Sequence, residues 1–153
     1  MKRHVLIDTN VLVTAVDLRE QHKAVTAAIV VSQLARTARG VVTPQVIGEY
    51  FNATTRSRGG QKPIFSPREA SESSEEILAA FVCVDLTADT IQNAMRAVIS
   101  YQMHIYDAHI WAAARLNGIS TILTEDGQSQ AVIEGVRYVD PFAANFKLAQ
   151  IGL

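Results

Sequence analysis

Asp8, Glu49, Asp107 and Asp126 stand where carboxylates can be gathered into one site. Asp8 ends the apolar run Val5-Leu6-Ile7, and Asp126 follows Ile122-Leu123-Thr124. Asp107 opens an alanine-rich stretch, and a helix N-terminus favours a negative side chain. Glu49 lies about one turn into Pro44-Gln45-Val46-Ile47-Gly48-Glu49-Tyr50-Phe51-Asn52. Each has a plain structural explanation alone: Asp107 as a helix cap, Asp8 and Asp126 as loop residues, Glu49 as the partner of an arginine. Gathered together, they would repel one another and raise each other's pKa values, and a hard cation relieves that. Oxygen-only donors suit Mg2+ or Mn2+ rather than zinc. Two such ions about 3.5–4 Å apart orient an attacking water and stabilise a leaving oxygen, which is the chemistry of phosphodiester hydrolysis. No serine, cysteine or histidine nucleophile is needed. The chain also lacks a Gly-x-Ser-x-Gly elbow, a Walker loop and a Gly-x-Gly-x-x-Gly turn.

The elements that must position these acids alternate between strand and helix. Residues 3–8 read as a strand buried on both faces. Thr9 or Asn10 is expected to cap a helix from Val11 to about Asp17, followed by a polar break at Leu18–Glu20. A helix from His22 to Arg39 turns Val25, Ala28, Ile29 and Leu34 inward, and Gly40 ends it as a C-terminal cap. The strand Val41–Thr43 precedes a helix begun by Pro44 and running to about Arg56, with Val46, Ile47, Tyr50 and Phe51 buried. Residues 57–65 form a loop with glycine, proline and basic side chains. Ser66-Pro67-Arg68-Glu69 is a capping box, and the helix behind it carries Glu72, Glu75 and Glu76 on a solvated face. A strand over Phe81–Leu86 holds Cys83 as a small apolar residue. The next helix runs to about Tyr101 with Ile91, Ala94, Met95 and Val98 inward. A helix opens around Tyr106 and ends at Gly118. Two more strands, at Ser120–Thr124 and Val136–Val139, complete the series before Asp140-Pro141-Phe142 turns the chain into its tail.

This alternation predicts an α/β fold in one domain spanning residues 1–153. It is a three-layer sandwich with a mainly parallel central sheet covered by helices on both faces. In such a sheet all strand C-termini share one edge, and ligands bind beyond it. All four acids fall at that edge. Thr9 and Thr124 bring hydroxyls beside them and Asn10 an amide, to orient water or metal or to serve as caps. Alternation along the last strand puts Thr124 and Asp126 on one side and Glu125 on the other, which favours Asp126 as the ligand.

The chain's 153 residues suffice for a real core. No apolar run is long enough to span a bilayer. The basic start Met1-Lys2-Arg3-His4 followed by apolar residues resembles a signal peptide until Asp8 interrupts it. One cysteine forms no internal disulfide, which fits a reducing cytoplasm. The net charge of −1 divides into +5 over residues 1–62 (nine Lys/Arg, four Asp/Glu) and −6 over residues 63–153 (five and eleven). Neutralising four acids with two divalent cations moves the net charge from −1 to +3, compatible with a polyanionic substrate.

Asp8-Thr9-Asn10 after an apolar strand, the isolated Glu49, Tyr106-Asp107-Ala108 before an alanine-rich helix, and Thr124-Glu125-Asp126 before Pro141-Phe142 resemble the PIN domain, in its VapC-type toxin branch. The similarity runs along essentially the whole chain, except the loop at 57–65 and the end of the acidic helix. It implies a Mg2+- or Mn2+-dependent endoribonuclease whose chemistry is carried by Asp8, Glu49, Asp107 and Asp126. It further implies a homodimer and a small antitoxin that blocks the site. Arg56, Arg58 and Lys62 then hold RNA phosphates, meet an acidic antitoxin segment, or are simply solvated. His104 and His109 read as structural, and Tyr106 and Trp111 as core rather than base-stacking residues. Rival readings are a non-toxin PIN nuclease in RNA processing and a catalytically silent binding module. An aspartyl-phosphate phosphatase would want a second acid two residues after Asp8, where Asn10 stands.

Overall fold

A computed structural model describes residues 3–127 and 131–153; the basic start at Met1 and Lys2 lies outside them. Strand β1 (Val5–Ile7) is buried at every position and takes the middle of the sheet. It leads through α1 (Thr9–Val16), a 3-10 turn at Leu18–Glu20 and α2 (Gln21–Arg36) to β2 (Gly40–Val42). Helices α3 (Pro44–Thr55) and α4 (Pro67–Ala80) follow, then β3 (Val82–Cys83), α5 (Ala88–Tyr101) and α6 (Ile105–Leu116). Strands β4 (Thr121–Leu123), β5 (Val132–Ile133) and β6 (Val136–Val139) precede a closing 3-10 turn at Leu148–Ile151.

The six strands lie in the order β3-β2-β1-β4-β6-β5. Every neighbouring pair is parallel except β5 with β6. Leu6 is paired with Val41 on one side and Ile122 on the other. The chain therefore builds outward from β1 to β3, then returns to the far side of β1 for β4. That reversal creates a crevice at the carboxyl ends of β1 and β4. The three-layer α/β architecture is the one expected from the alternation of elements.

Several local expectations are corrected. Helix α2 buries Ala24, Ala27, Val30 and Leu34. Val25 and Ile29, expected inside, are 60% and 51% exposed, and Ala28 is exposed too. Helix α5 likewise buries Ala94 and Ala97 and leaves Ile91 and Met95 exposed. Both helices pack through alanines, whose small side chains permit close approach, so the largest apolar residues do not mark the inner face. Phe51 in α3 is also exposed rather than buried. The strand expected over Phe81–Leu86 shrinks to Val82–Cys83 at the sheet edge, where Cys83 is exposed. Strand β5 is an addition: Glu134 and Gly135, both with positive φ, turn it back on β6. Arg96 and Tyr101 hold the Glu134 carboxylate at 2.9 and 2.8 Å, which fixes a side chain in a backbone region that favours glycine.

Gly40 is not a helix cap. Helix α2 ends at Arg36, Ala38 takes the left-handed conformation, and Gly40 begins β2. A Cβ at Gly40 would run into the Phe81 ring and touch Ile7. Glycine is needed there for close packing between β2 and the segment entering β3. We expect Gly40→Ala to lower stability by about 1–3 kcal/mol, read as a lower urea midpoint with unchanged slope. A midpoint equal to the parent's would show that the Phe81 ring gives way freely.

Candidate active site

Asp8 leaves β1 in an extended conformation and caps α1 itself, in place of the expected Thr9 or Asn10. Its Oδ1 accepts the Thr9 amide at 2.7 Å, and its Oδ2 accepts the Thr124 hydroxyl at 2.8 Å. The Asp8 amide donates to Leu123 O, extending the β1–β4 pairing to the acid. Asp8 is only 9% exposed. Burial pushes its carboxyl up to about 6, with the negative charges of Asp107 and Glu49 adding to the rise and the Thr124 and Thr9 bonds opposing it.

Asn10 ties α1 to the turn after β4. Its Nδ2 donates to Thr124 Oγ1 at 3.0 Å and to Asp126 Oδ2 at 3.3 Å, and its Oδ1 accepts the Glu125 amide at 3.1 Å. Glu49 projects from α3, whose start is fixed by the Thr43 cap and Pro44. Its two oxygens accept from Thr9 Oγ1 at 3.0 Å and Gln45 Nε2 at 2.7 Å, not from an arginine. Asp107 lies in the first turn of α6 and faces solvent. Partial burial raises its pKa, with Asp126 and Glu49 raising it further and nearby His104 lowering it.

All four acids line one cleft of about 550 Å³. Asp17, Glu20 and Glu125 line it as well, against two cations, Lys23 and Arg58. Those three further acids are compensated: Asp17 by Arg19, and Glu20 and Glu125 by Lys23. Among the described residues none of Asp8, Glu49, Asp107 and Asp126 pairs with a lysine or arginine. The acids share a hollow without closing into a cage. Among the described residues no three His, Cys, Asp or Glu side chains stand close enough to hold an ion directly. Hydrogen bonds to neutral groups hold Asp8, Glu49 and Asp126.

The remaining candidates separate. Thr9, Asn10 and Thr124 all bond directly to the acids. Arg58 lines the cleft, while Lys62 lines an adjoining depression with Leu18 and Phe65. Arg56 ends α3, exposed to solvent and outside both linings. His104 caps α6 and His109 bonds Gln45, both structural. Trp111 is fully buried, but Tyr106 is 55% exposed and stacks edge-on against His109, so it is not core. Lys23 went unnoticed in the sequence because only the fold carries it from α2 to the Glu125 turn.

The PIN domain profile matches residues 5–134. The chain belongs to the PIN domain family. No curated protein matches its sequence. Among solved structures, a toxin–antitoxin complex from Klebsiella pneumoniae is similar at TM-score 0.62 and 18% identity, covering 90% of this chain and 98% of that one. DNA-bound VapBC from Salmonella typhimurium is similar at 0.64 and 15%, covering 91% and 98%. VapC20 from Mycobacterium tuberculosis, described as a sarcin–ricin loop cleaving toxin, is similar at 0.61 and 18%, covering 87% and 98%. At these identities the likeness is one of fold.

Burying an acid whose pKa is raised from 3.8 to about 6 means that this PIN domain binds the Asp8 proton more tightly folded than unfolded. Its stability without metal therefore falls as pH rises through that interval, by about 3 kcal/mol at most. Asp8→Asn keeps a good helix cap and removes the charge. We expect the variant to exceed the parent in stability at pH 7.5 in EDTA and to lose that advantage below pH 4. Urea midpoints that run parallel with pH in both proteins would contradict the electrostatic cost assigned to Asp8.

Proposed function

We propose that this PIN domain is a divalent-cation-dependent endoribonuclease and the toxin of a toxin–antitoxin pair. The observation that carries the reading is the set of four acids lining one cleft at the sheet's reversal point, none of them paired with a lysine or arginine among the described residues. Those donors fit a hard divalent ion: all are oxygens, one is buried, and burial, with their mutual repulsion adding to it, raises two of the pKa values. Because among the described residues no three of them stand close enough to enclose an ion, one bound here would keep several of its waters, as Mg2+ does.

Asp8, Glu49, Asp107 and Asp126 would hold Mg2+ or Mn2+ in this reading, through direct and water-bridged contacts. The bound cation supplies positive charge that offsets the phosphate and acidifies an attacking water. Thr9, Asn10 and Thr124 fix Asp8, Glu49 and Asp126 before substrate arrives, which limits the reorganisation left for the reaction itself. Among the described residues the hydrogen-bond partners of Glu49 are neutral, so no paired cation would reduce its ability to accept a proton from that water. Arg58 and Lys23, the cations of the cleft wall, are placed to meet the backbone phosphates of RNA.

The toxin role and an antitoxin partner are supported by the fold shared with the toxin–antitoxin complexes. A homodimer is supported by Ile91, Met95 and Ile99, an exposed stripe at successive turns of α5, with Ile99 83% exposed. Among the described residues no helix is long and apolar enough to cross a membrane, and the proposed site of action is the cytoplasm.

Expression of the wild-type chain should arrest growth, and the purified protein should cut RNA in Mn2+ but not in EDTA. Asp8→Asn and Asp126→Asn should relieve the arrest and slow cleavage by about 100-fold or more, with the fold intact by circular dichroism. Full toxicity in either variant, or undiminished cleavage in EDTA, would contradict the proposal.

A further inference from the structure

Beside the acidic cleft lies a second depression of about 320 Å³, between the start of α2 and the segment after β6. Its walls include His22, Lys23 and Thr26 on one side and Phe142 and Phe146 on the other. Lys23 lines both hollows and joins them. Its ammonium sits over the Phe142 ring, 5.5 Å from the centre, and covers that face while no ligand is bound. The same ammonium pairs with Glu125 and lies 3.7 Å from Glu20 Oε2.

The aromatic wall is held in place by its backbone. Asp140 Oδ1 accepts the Phe142 amide at 2.8 Å, and Ala143 O accepts the Phe146 amide at 2.9 Å. Both rings are half-buried and pack on the core with one part, leaving another part at the depression. A stacking surface fixed in this way loses little conformational freedom when a ligand arrives. Phe142, Phe146 and Thr26 have no task in the hydrolysis assigned to the acids.

We propose that this depression is a nucleobase subsite: Lys23 leaves the Phe142 ring and Glu125 for a phosphate, and a base flanking the cleaved phosphodiester stacks on the ring it uncovers. The proposal rests on the ribonuclease reading, because that reading places the scissile bond in the neighbouring cleft. An aromatic face next to a single cation is what a single-stranded nucleotide requires, and stacking tolerates any base. Thr26 spends its hydroxyl proton on His22 O at 3.2 Å, so its oxygen faces a ligand as an acceptor. That favours a base carrying an amino group. An acidic peptide could take the Lys23 ammonium but offers no planar base to the Phe142 ring beside it.

The test uses fluorescent single-stranded RNA oligonucleotides that together contain every tetranucleotide, with binding followed by anisotropy in Ca2+ and cleavage followed separately in Mn2+. The tightest binder is remade with one abasic riboside at each position in turn. For the wild type, one position should lose about tenfold in affinity. Phe142→Leu, which keeps an apolar anchor for the fold, should lose a similar factor on intact RNA. The two losses should not add, and Phe142→Trp should retain the affinity. Lys23→Gln should reduce the slope of log affinity against log salt by about 0.7. Additive losses, or the absence of any abasic-sensitive position, overturn the subsite. RNA that binds in the expected pattern but is never cut contradicts the ribonuclease reading and leaves the subsite standing. RNA that does not bind at all overturns both.

Discussion

One hydroxyl joins the two strand ends on which the cleft is built. Thr124, itself buried at the end of β4, donates to Asp8 at the end of β1 and accepts from Asn10 in α1 and from the Asp126 amide. Two segments more than a hundred residues apart in sequence are thus referred to a single oxygen. The bond also makes a buried carboxylate tolerable, because it favours the charged form that burial opposes. Burial still prevails, and two further acids face Asp8 across the hollow. A fold arranged for stability alone would place a neutral side chain there, so the cost points to a task that needs the charge.

The acids of the cleft fall into two sets with different work. Asp17, Glu20 and Glu125 are engaged by Arg19 and Lys23 at the surface, where such pairs contribute little to stability. They hold the rim and set its charge. Among the described residues Asp8, Glu49 and Asp126 bond only to hydroxyls, amides and backbone, and Asp107 pairs with no lysine or arginine, so their negative charge remains for a ligand to meet. Lys23 stands between the sets and between the two hollows, which makes it the residue through which the acidic floor and the aromatic wall can act on one strand of RNA.

Much of this was legible in the sequence. Apolar strands ending in Asp8 and before Asp126, with helices between them, place acids at a shared sheet edge whatever the details of packing. The convergence of Glu49 and Asp107 on that edge follows from the same alternation. Other features were hidden. Alanine faces on α2 and α5 gave no sign that Ala24, Ala27, Ala94 and Ala97 would be inside and Val25, Ile29 and Met95 outside. Strand β5 is two residues long and turns on Glu134-Gly135, too short for a periodic signal. The role of Gly40 depends on a ring some forty residues away, and the position of Lys23 on the packing of α2 against the turn after β4. Such features come from tertiary contact, which hydrophobic periodicity does not encode.

The central claim is that four dispersed carboxylates form one divalent-cation site. Crystals soaked in Mn2+ and measured at the manganese absorption edge test it directly. The account predicts anomalous density inside the cleft, within direct or single-water reach of Asp8, Glu49, Asp107 and Asp126, and lost in Asp8→Asn crystals. A cleft without anomalous density at saturating Mn2+, or density bound only at the paired acids of the rim, would contradict it.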